Sequence, residues 1–371
     1  IVEEFKSINC EGNFDEALAE THAQKAGEAV DYLQDFVGVQ FDGTVSFGSA
    51  NYPQMSVERI YMGAQGGASY TNALIAKVAE YEQRGDILVA LNTEVTEVVL
   101  NEQGAASGVV AGGVTYNAPV VIMAAGGYGH NEEWLKRYNF TNVTTSAFAT
   151  ATGSGFDICE ALGAKFTAME YCGAYAGSLP YNGFDNVYKF DANGCYPSVI
   201  WVDNTGKRMA NEMEQNAGTT AKYWMAAPDN QVYVLFTEDM MLADRSMLIA
   251  PTAAGKSPTP EECWKLLAEL EAAGNCVFKA DTIEELAGKI GLNAEDLRAT
   301  IDTYNGYCDA GADADFGRTT YLDKFENGPF YALYTVPYVL LTSGGPVTDP
   351  QGRLLNAQGD EMLVTDHLRS E

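Results

Sequence analysis

Histidine is scarce: only His22, His130 and His367 occur in 371 residues, which limits the commonest acid–base side chain to three positions. Cysteine is present but never as a C-x-x-C pair. Cys10, Cys159, Cys172, Cys195, Cys263, Cys276 and Cys308 are odd in number and scattered, a pattern that argues against a disulfide framework, a zinc site or an iron–sulfur cluster and leaves ordinary buried or half-buried thiols. Positive charge is in deficit, with 22 Lys and Arg against 51 Asp and Glu and a net charge of −29. Phosphate backbones and anionic lipid surfaces are repelled by such a chain, so neither nucleic acid nor a membrane surface is expected as a partner. No apolar run approaches the roughly 20 residues that span a bilayer, and no charged-then-apolar leader opens the chain, although its first residue is Ile1. The sequons at Asn139 and Asn142 carry little without a secretory context.

What is present is a chain with 46% hydrophobic residues, enough to fill a sizeable core. Apolar residues recur at helical spacing in ALAETHAQKAGEAVDYLQDF (17 to 36) and in the helix that follows the glycine turn of GAQGGASYTNALIAKVAEYEQRG (63 to 85). The stretch from DILVA to VVIMAAGG predicts a strand, a meander turning at glycines, and a fully apolar strand. GSGFDICEALGAKF (153 to 166) reads as a turn opening a helix, and the Tyr-, Gly- and Asn-rich run from Met169 to Tyr196 as site-forming loop. SVIWVDNTGKRMANE (198 to 212) predicts strand, turn and short strand; PTPEECWKLLAELEAAG and DTIEELAGKIGLNAEDLRATIDTYNGYCDAG predict capped amphipathic helices. The strands of FYALYTVPYVLLTSGGPVTDPQGRLL (330 to 355) break at Gly344 and Gly345. Repeats and low-complexity tracts are missing.

The abrupt stop in VVIMAAGGYGHN (120 to 131) lets backbone approach a ligand where no Cβ intervenes. Taken with TEVTEVVLNEQGAASGVV, ATGSGFDICEALGAKF, VIWVDNTGKRMANE and PFYALYTVPYVLLTSGGPVTD in that order, the run resembles the FAD-binding succinate dehydrogenase and fumarate reductase flavoprotein superfamily over nearly the whole chain. The resemblance implies an α/β fold: a partial FAD-binding, Rossmann-like body (1–153 and 338–371) with an inserted α+β capping domain (154–337). It implies FAD as cofactor, with Val95 backing the adenine, and Ala125, Gly126 and Gly127 meeting the dinucleotide. Gly153, Ser154 and Gly155 then lie close to the flavin, while Thr342, Ser343, Gly344 and Gly345 approach its ring beside the substrate. Each of these positions also reads as a plain turn residue.

Departures from the family pattern shape the functional expectation. The G-x-G-x-x-G fingerprint that the family places ahead of these motifs, and its closing flavin segment, are not found, so the chain is expected to be either a fragment of a larger flavoprotein or a form that holds FAD poorly. Asn216 stands where the family's fumarate reductases carry a proton-donating arginine, Leu341 where a histidine precedes T-x-G-G, and MEYCGAYAGSL (169 to 179) lacks an H-P-T segment. Fumarate is therefore not expected as the substrate.

Tyrosines stand in place of those groups: Tyr171, Tyr175, Tyr181, Tyr188, Tyr196 and Tyr338. Phenols suit a bulky or aromatic substrate and can supply a proton, and Tyr171, Tyr175 and Tyr338 are the expected catalytic residues of a flavin-dependent reductase or desaturase of an activated carbon–carbon bond. Packing of the cap is the alternative for any one of them. Electrons are expected from a donor protein or domain outside this chain, and the substrate is expected to be a small molecule. Lys207 and Arg208 read either as functional or as a turn in which Arg208 pairs with Glu212. His130 reads as a cofactor contact or as the cap of the helix EEWLKRY, and Arg245 and Arg318 are the remaining arginines in a region that could reach a substrate, between which the sequence does not decide. A non-catalytic remnant that binds a ligand or a partner chain is the alternative reading of the whole.

Overall fold

The structure is a computed structural model, and it describes residues 1–8, 14–47, 56–185, 188–190, 199–214, 216–242, 249–251 and 259–362. Cys10, Cys195, Tyr196, Arg245 and His367 lie outside the described residues, as does the side chain of Tyr188. The chain forms two compact units. The first comprises Ile1–Ala124, Ser154–Ala168 and Gly345–Glu371, the second Ala125–Gly153 and Met169–Gly344.

In the first unit, Asp15 caps the helix Glu16–Asp31 by accepting the Leu18 N–H. Phe41–Ser46 pairs antiparallel with Ile60–Gly66, which leads into the helix Gly67–Arg84, ending on Gly85. Val95–Leu100, Ala106–Ala111 and Val114–Asn117 make an antiparallel meander. One of its faces packs Val98, Ala106 and Val109 against Ile158 and Leu162, on and just beyond the helix Ser154–Ala161.

Two segments of this unit depart from the sequence expectation. Neither 86–91 nor 119–124 forms a strand, because neither finds a hydrogen-bonded ladder among the described residues. Val121 packs inward against the Val98 cluster, but Ile122 is 85% exposed and Leu88 79%. Continuous apolar runs of this kind suit a strand covered on both faces; here the runs form no strand and stay largely exposed.

The second unit is built on the 13-residue strand Phe330–Thr342. Its first half lies between antiparallel Val232–Thr237 and Val277–Ala280. Its second half lies between antiparallel Cys172–Leu179 and the short parallel strand Thr144–Thr145. Ile200–Asp203 extends the sheet beyond Val232–Thr237. Helices Ile283–Ile290 and Ala294–Ala310, capped by Thr282 and Asn293, supply Leu286, Leu297, Ile301 and Tyr304 to the core. Trp201 and Trp224 meet edge to face at 4.8 Å, and the Trp224 indole N–H donates to Thr335 Oγ1 at 3.0 Å. Cys159, Cys263 and Cys276 are buried and Cys172 and Cys308 half-buried, and none of the five is joined in a disulfide among the described residues. No helix among the described residues is long and apolar enough to cross a membrane.

Candidate functional site

The strand Phe330–Thr342 delivers its C-terminal end to the turn at Ala125–Gly127, inside the second unit. Thr342 Oγ1 accepts the Tyr128 N–H at 3.3 Å and fills the space that a Cβ on Gly127 would need. Gly153 N–H donates to Gly127 O at 3.1 Å, and the Ser343 N–H to Tyr171 O at 3.0 Å. Gly127, Gly153 and Thr342 are thus brought together. The side chain of Tyr128, fully buried, donates its O–H to Met169 O, and desolvation holds the phenol well above its ordinary pKa. Sequence reasoning passed over Tyr128; its only signal is an aromatic following Gly-Gly.

Gly126 has φ +77°, a conformation only glycine adopts easily, and among the described residues no atom beyond its chain neighbours lies within 4 Å of where its Cβ would stand. Ala125 beside it is exposed. A cradle for a cofactor laid against backbone needs this combination of side-chain-free surface and open space, and these residues fit FAD in that respect.

The remaining candidates lie in the first unit. Val95 opens the meander opposite Ala111. Ser154 and the buried Gly155 begin the helix Ser154–Ala161, and the Cα face of Gly345 lies against the Phe156 ring.

Among the tyrosines, Tyr175 and Tyr338 are register partners on adjacent strands, with rings stacked at 5.5 Å and 20°. Tyr338 is buried and Tyr175 half-buried. Tyr171 directly precedes the strand Cys172–Leu179, whereas Tyr181 packs onto the core.

Two cation candidates prove structural. Arg208 gives a bidentate pair of bonds to Glu212 at 2.7 and 2.6 Å, with Asp313 at 2.8 Å. Arg318 is wholly buried, not substrate-facing: it donates to Glu212, Val199 O, Thr320 O and Tyr321 O. A buried guanidinium is tolerated only with such full pairing. Asn216, in the place of the expected arginine, caps the helix Ala217–Ala226. Asn131, not His130, caps the helix Glu132–Arg137, since its shorter side chain reaches the Glu133 and Trp134 N–H groups. His130 Nε2 lies 3.5 Å from Asp185, and its buried Nδ1 has no hydrogen-bond partner among the described residues.

Residues 5–362 match the family model described as FAD binding domain. The chain belongs to that family. It is 29% identical over 287 residues to the urocanate reductase of Eggerthella lenta, covering 73% of this chain and 44% of that protein. With the 3-oxosteroid 1-dehydrogenase of Mycolicibacterium smegmatis it shares 29% over 319 residues, 76% of this chain and 53% of the other. With the vinyl phenol reductase of Lactiplantibacillus plantarum it shares 26% over 370 residues, 93% of this chain and 71% of the other. The chain therefore spans about half the length of the first two. The open conformation of a flavocytochrome c3 fumarate reductase superposes with a TM-score of 0.65 over 98% of this chain and 60% of that one, at 22% identity. That likeness shows the α/β fold.

Proposed function

We propose that this chain acts as a flavin-dependent oxidoreductase that reduces or desaturates an activated carbon–carbon bond. Its substrate is a bulky or aromatic small molecule other than a dicarboxylate. The observation that carries the reading is the Tyr175–Tyr338 pair on the two strands leading to the Thr342-Ser343-Gly344 turn. Relatives named for urocanate, vinyl phenol and 3-oxosteroids support a ring-bearing substrate.

Backbone at Ala125–Gly127 and Thr342–Gly344, with Val95, Gly153, Ser154, Gly155 and Gly345, would hold FAD. Hydride chemistry is what FAD supplies there when bound. Reduction of a C=C bond also needs a proton on the carbon that does not take the hydride, and Tyr171, Tyr175 or Tyr338 donates it from the phenol O–H, regaining it from solvent. Electrons come from a donor protein or domain outside this chain, as the cytochrome- and NADH-linked names of other relatives suggest.

A second reading, a non-catalytic remnant, is favoured by the open apolar runs around Leu88 and Ile122. Visible absorption of the purified chain before and after addition of FAD, with intact mass on the same sample, separates the two. A protein-bound flavin band, together with turnover of 4-vinylphenol or urocanate using chemically reduced viologen, supports the oxidoreductase. A chain that takes up no FAD contradicts it.

A further inference from the structure

The chain enters and leaves the second unit at 125, 153, 169 and 344, and a residue at or close to each of these places meets Tyr128. Gly127 precedes it in the chain. Gly153 gives its N–H to Gly127 O at 3.1 Å, and a Cβ on Gly153 would stand 3.2 Å from the Tyr128 Cβ. Met169 O accepts the Tyr128 O–H, and Thr342 Oγ1 accepts the Tyr128 N–H at 3.3 Å.

These bonds close a ring. From the Tyr128 N–H the path runs to Thr342, along the chain to Ser343, and through the Ser343 N–H to Tyr171 O at 3.0 Å. It returns along the chain to Met169, whose carbonyl receives the Tyr128 O–H. Cys172 and Thr342 are partners in the ladder and brace the ring from one side. Trp134 and Tyr138 pack on the buried Tyr128 ring at 5.6 and 6.0 Å.

Phenylalanine would fill the same space as Tyr128. What the hydroxyl adds is a fixed distance between the Gly126–Gly127 turn and the Met169–Tyr171 segment. A buried polar path whose members are all paired is stiff and moves as one. Side-chain-free backbone lies at one side of this path, at Gly126, and Tyr171, an expected proton donor, lies at the other.

We infer that Tyr128 is a positioning residue: its O–H bond to Met169 O couples the Gly126–Gly127 turn to Tyr171, so that a cofactor laid on the turn fixes where Tyr171 stands. The inference rests on the flavin reading and adds the link between cofactor and phenol.

Hydrogen–deuterium exchange of the 371-residue chain with and without FAD, read by mass spectrometry, tests it. In the parent chain FAD slows exchange in peptides spanning 125–128 and also in those spanning 169–173 and 342–344. In Tyr128→Phe, FAD still binds and still protects 125–128, but its protection of 169–173 and 342–344 falls by about threefold or more, the size expected for one hydrogen bond. Tyr138→Phe takes the same hydroxyl from the neighbouring ring, leaves the closed path whole, and behaves as the parent. Protection confined to 125–128 in the parent, equal coupling in Tyr128→Phe, or the same loss in Tyr138→Phe assigns Tyr128 to packing; each overturns the inference and leaves flavin binding in place. A parent chain that takes up no FAD overturns the flavin reading and the inference with it.

Discussion

Thr342 Oγ1 occupies the space a Cβ on Gly127 would fill, and accepts the N–H of the next residue, Tyr128. The end of the long strand and the Gly-Gly turn are thereby locked to each other by the lack of a side chain. Gly127→Ala should destabilise the chain by about 1–3 kcal/mol through overpacking. Thr342→Ala, which loses a hydrogen bond, should cost about 1 kcal/mol. In the double variant the clash is gone, so the two losses should fall short of additive. Thermal melting followed by near-ultraviolet circular dichroism reads the cycle; strict additivity would show the two residues to be independent.

If one of Tyr175 and Tyr338 gives the proton, its replacement by Phe should lower turnover by about 10²- to 10⁴-fold while leaving the melting temperature unchanged. Tyr171→Phe belongs to the same series. Loss of turnover matched by loss of melting temperature in all three would assign the rings to packing.

Glu212 receives both Arg208 and Arg318 in a site closed to water. Glu212→Gln leaves two guanidinium groups short of a counter-charge and should cost about 3–5 kcal/mol. An unchanged denaturation midpoint would mean that Asp313 alone balances both arginines.

Burial pushes the thiols of Cys172 and Cys263 up to about 11, and that of Cys276 to about 12, from an ordinary 9.0. The unfolded chain loses these protons first as pH rises. The thiols therefore contribute their full stability below pH 9, and it drains away between 9 and about 12. Melting temperature should fall across that window, and native thiols should resist alkylation at pH values near 8, where unfolded ones react. Rapid native alkylation of Cys276 would contradict its burial.

Open apolar surface in the extended runs 86–91 and 119–124 should make the chain self-associate. Ile122→Lys should shift light scattering toward the monomer without lowering the melting temperature, because the side chain is 85% exposed.

The later helices and their caps were legible in the sequence because local chemistry decides them: Thr282 and Asn293 each accept N–H groups of the first turn they precede. The Arg208–Glu212 pair was legible through its spacing. Runs such as VVIMAAGG were not, since an apolar stretch becomes a strand only through the hydrogen bonds of a neighbour. The glycine turns at 125–127 and 342–344 could be placed from their motifs, but the lock between Gly127 and Thr342 depends on residues 215 positions apart. Leu341 was visible as a departure from pattern. The register shift between Val339 and Leu341 was hidden, because a one-residue bulge leaves no mark in composition or periodicity.

The chain passes between its two compact units at 124/125, 153/154, 168/169 and 344/345. The second unit is consequently not one stretch of gene. Residues 125–153 bring it the parallel strand Thr144–Thr145, and residues 169–344 bring the rest of the sheet. A chimera that exchanged only the longer stretch would import a sheet evolved against a different edge. An exchange that keeps the sheet and its edge intact must therefore carry both pieces together.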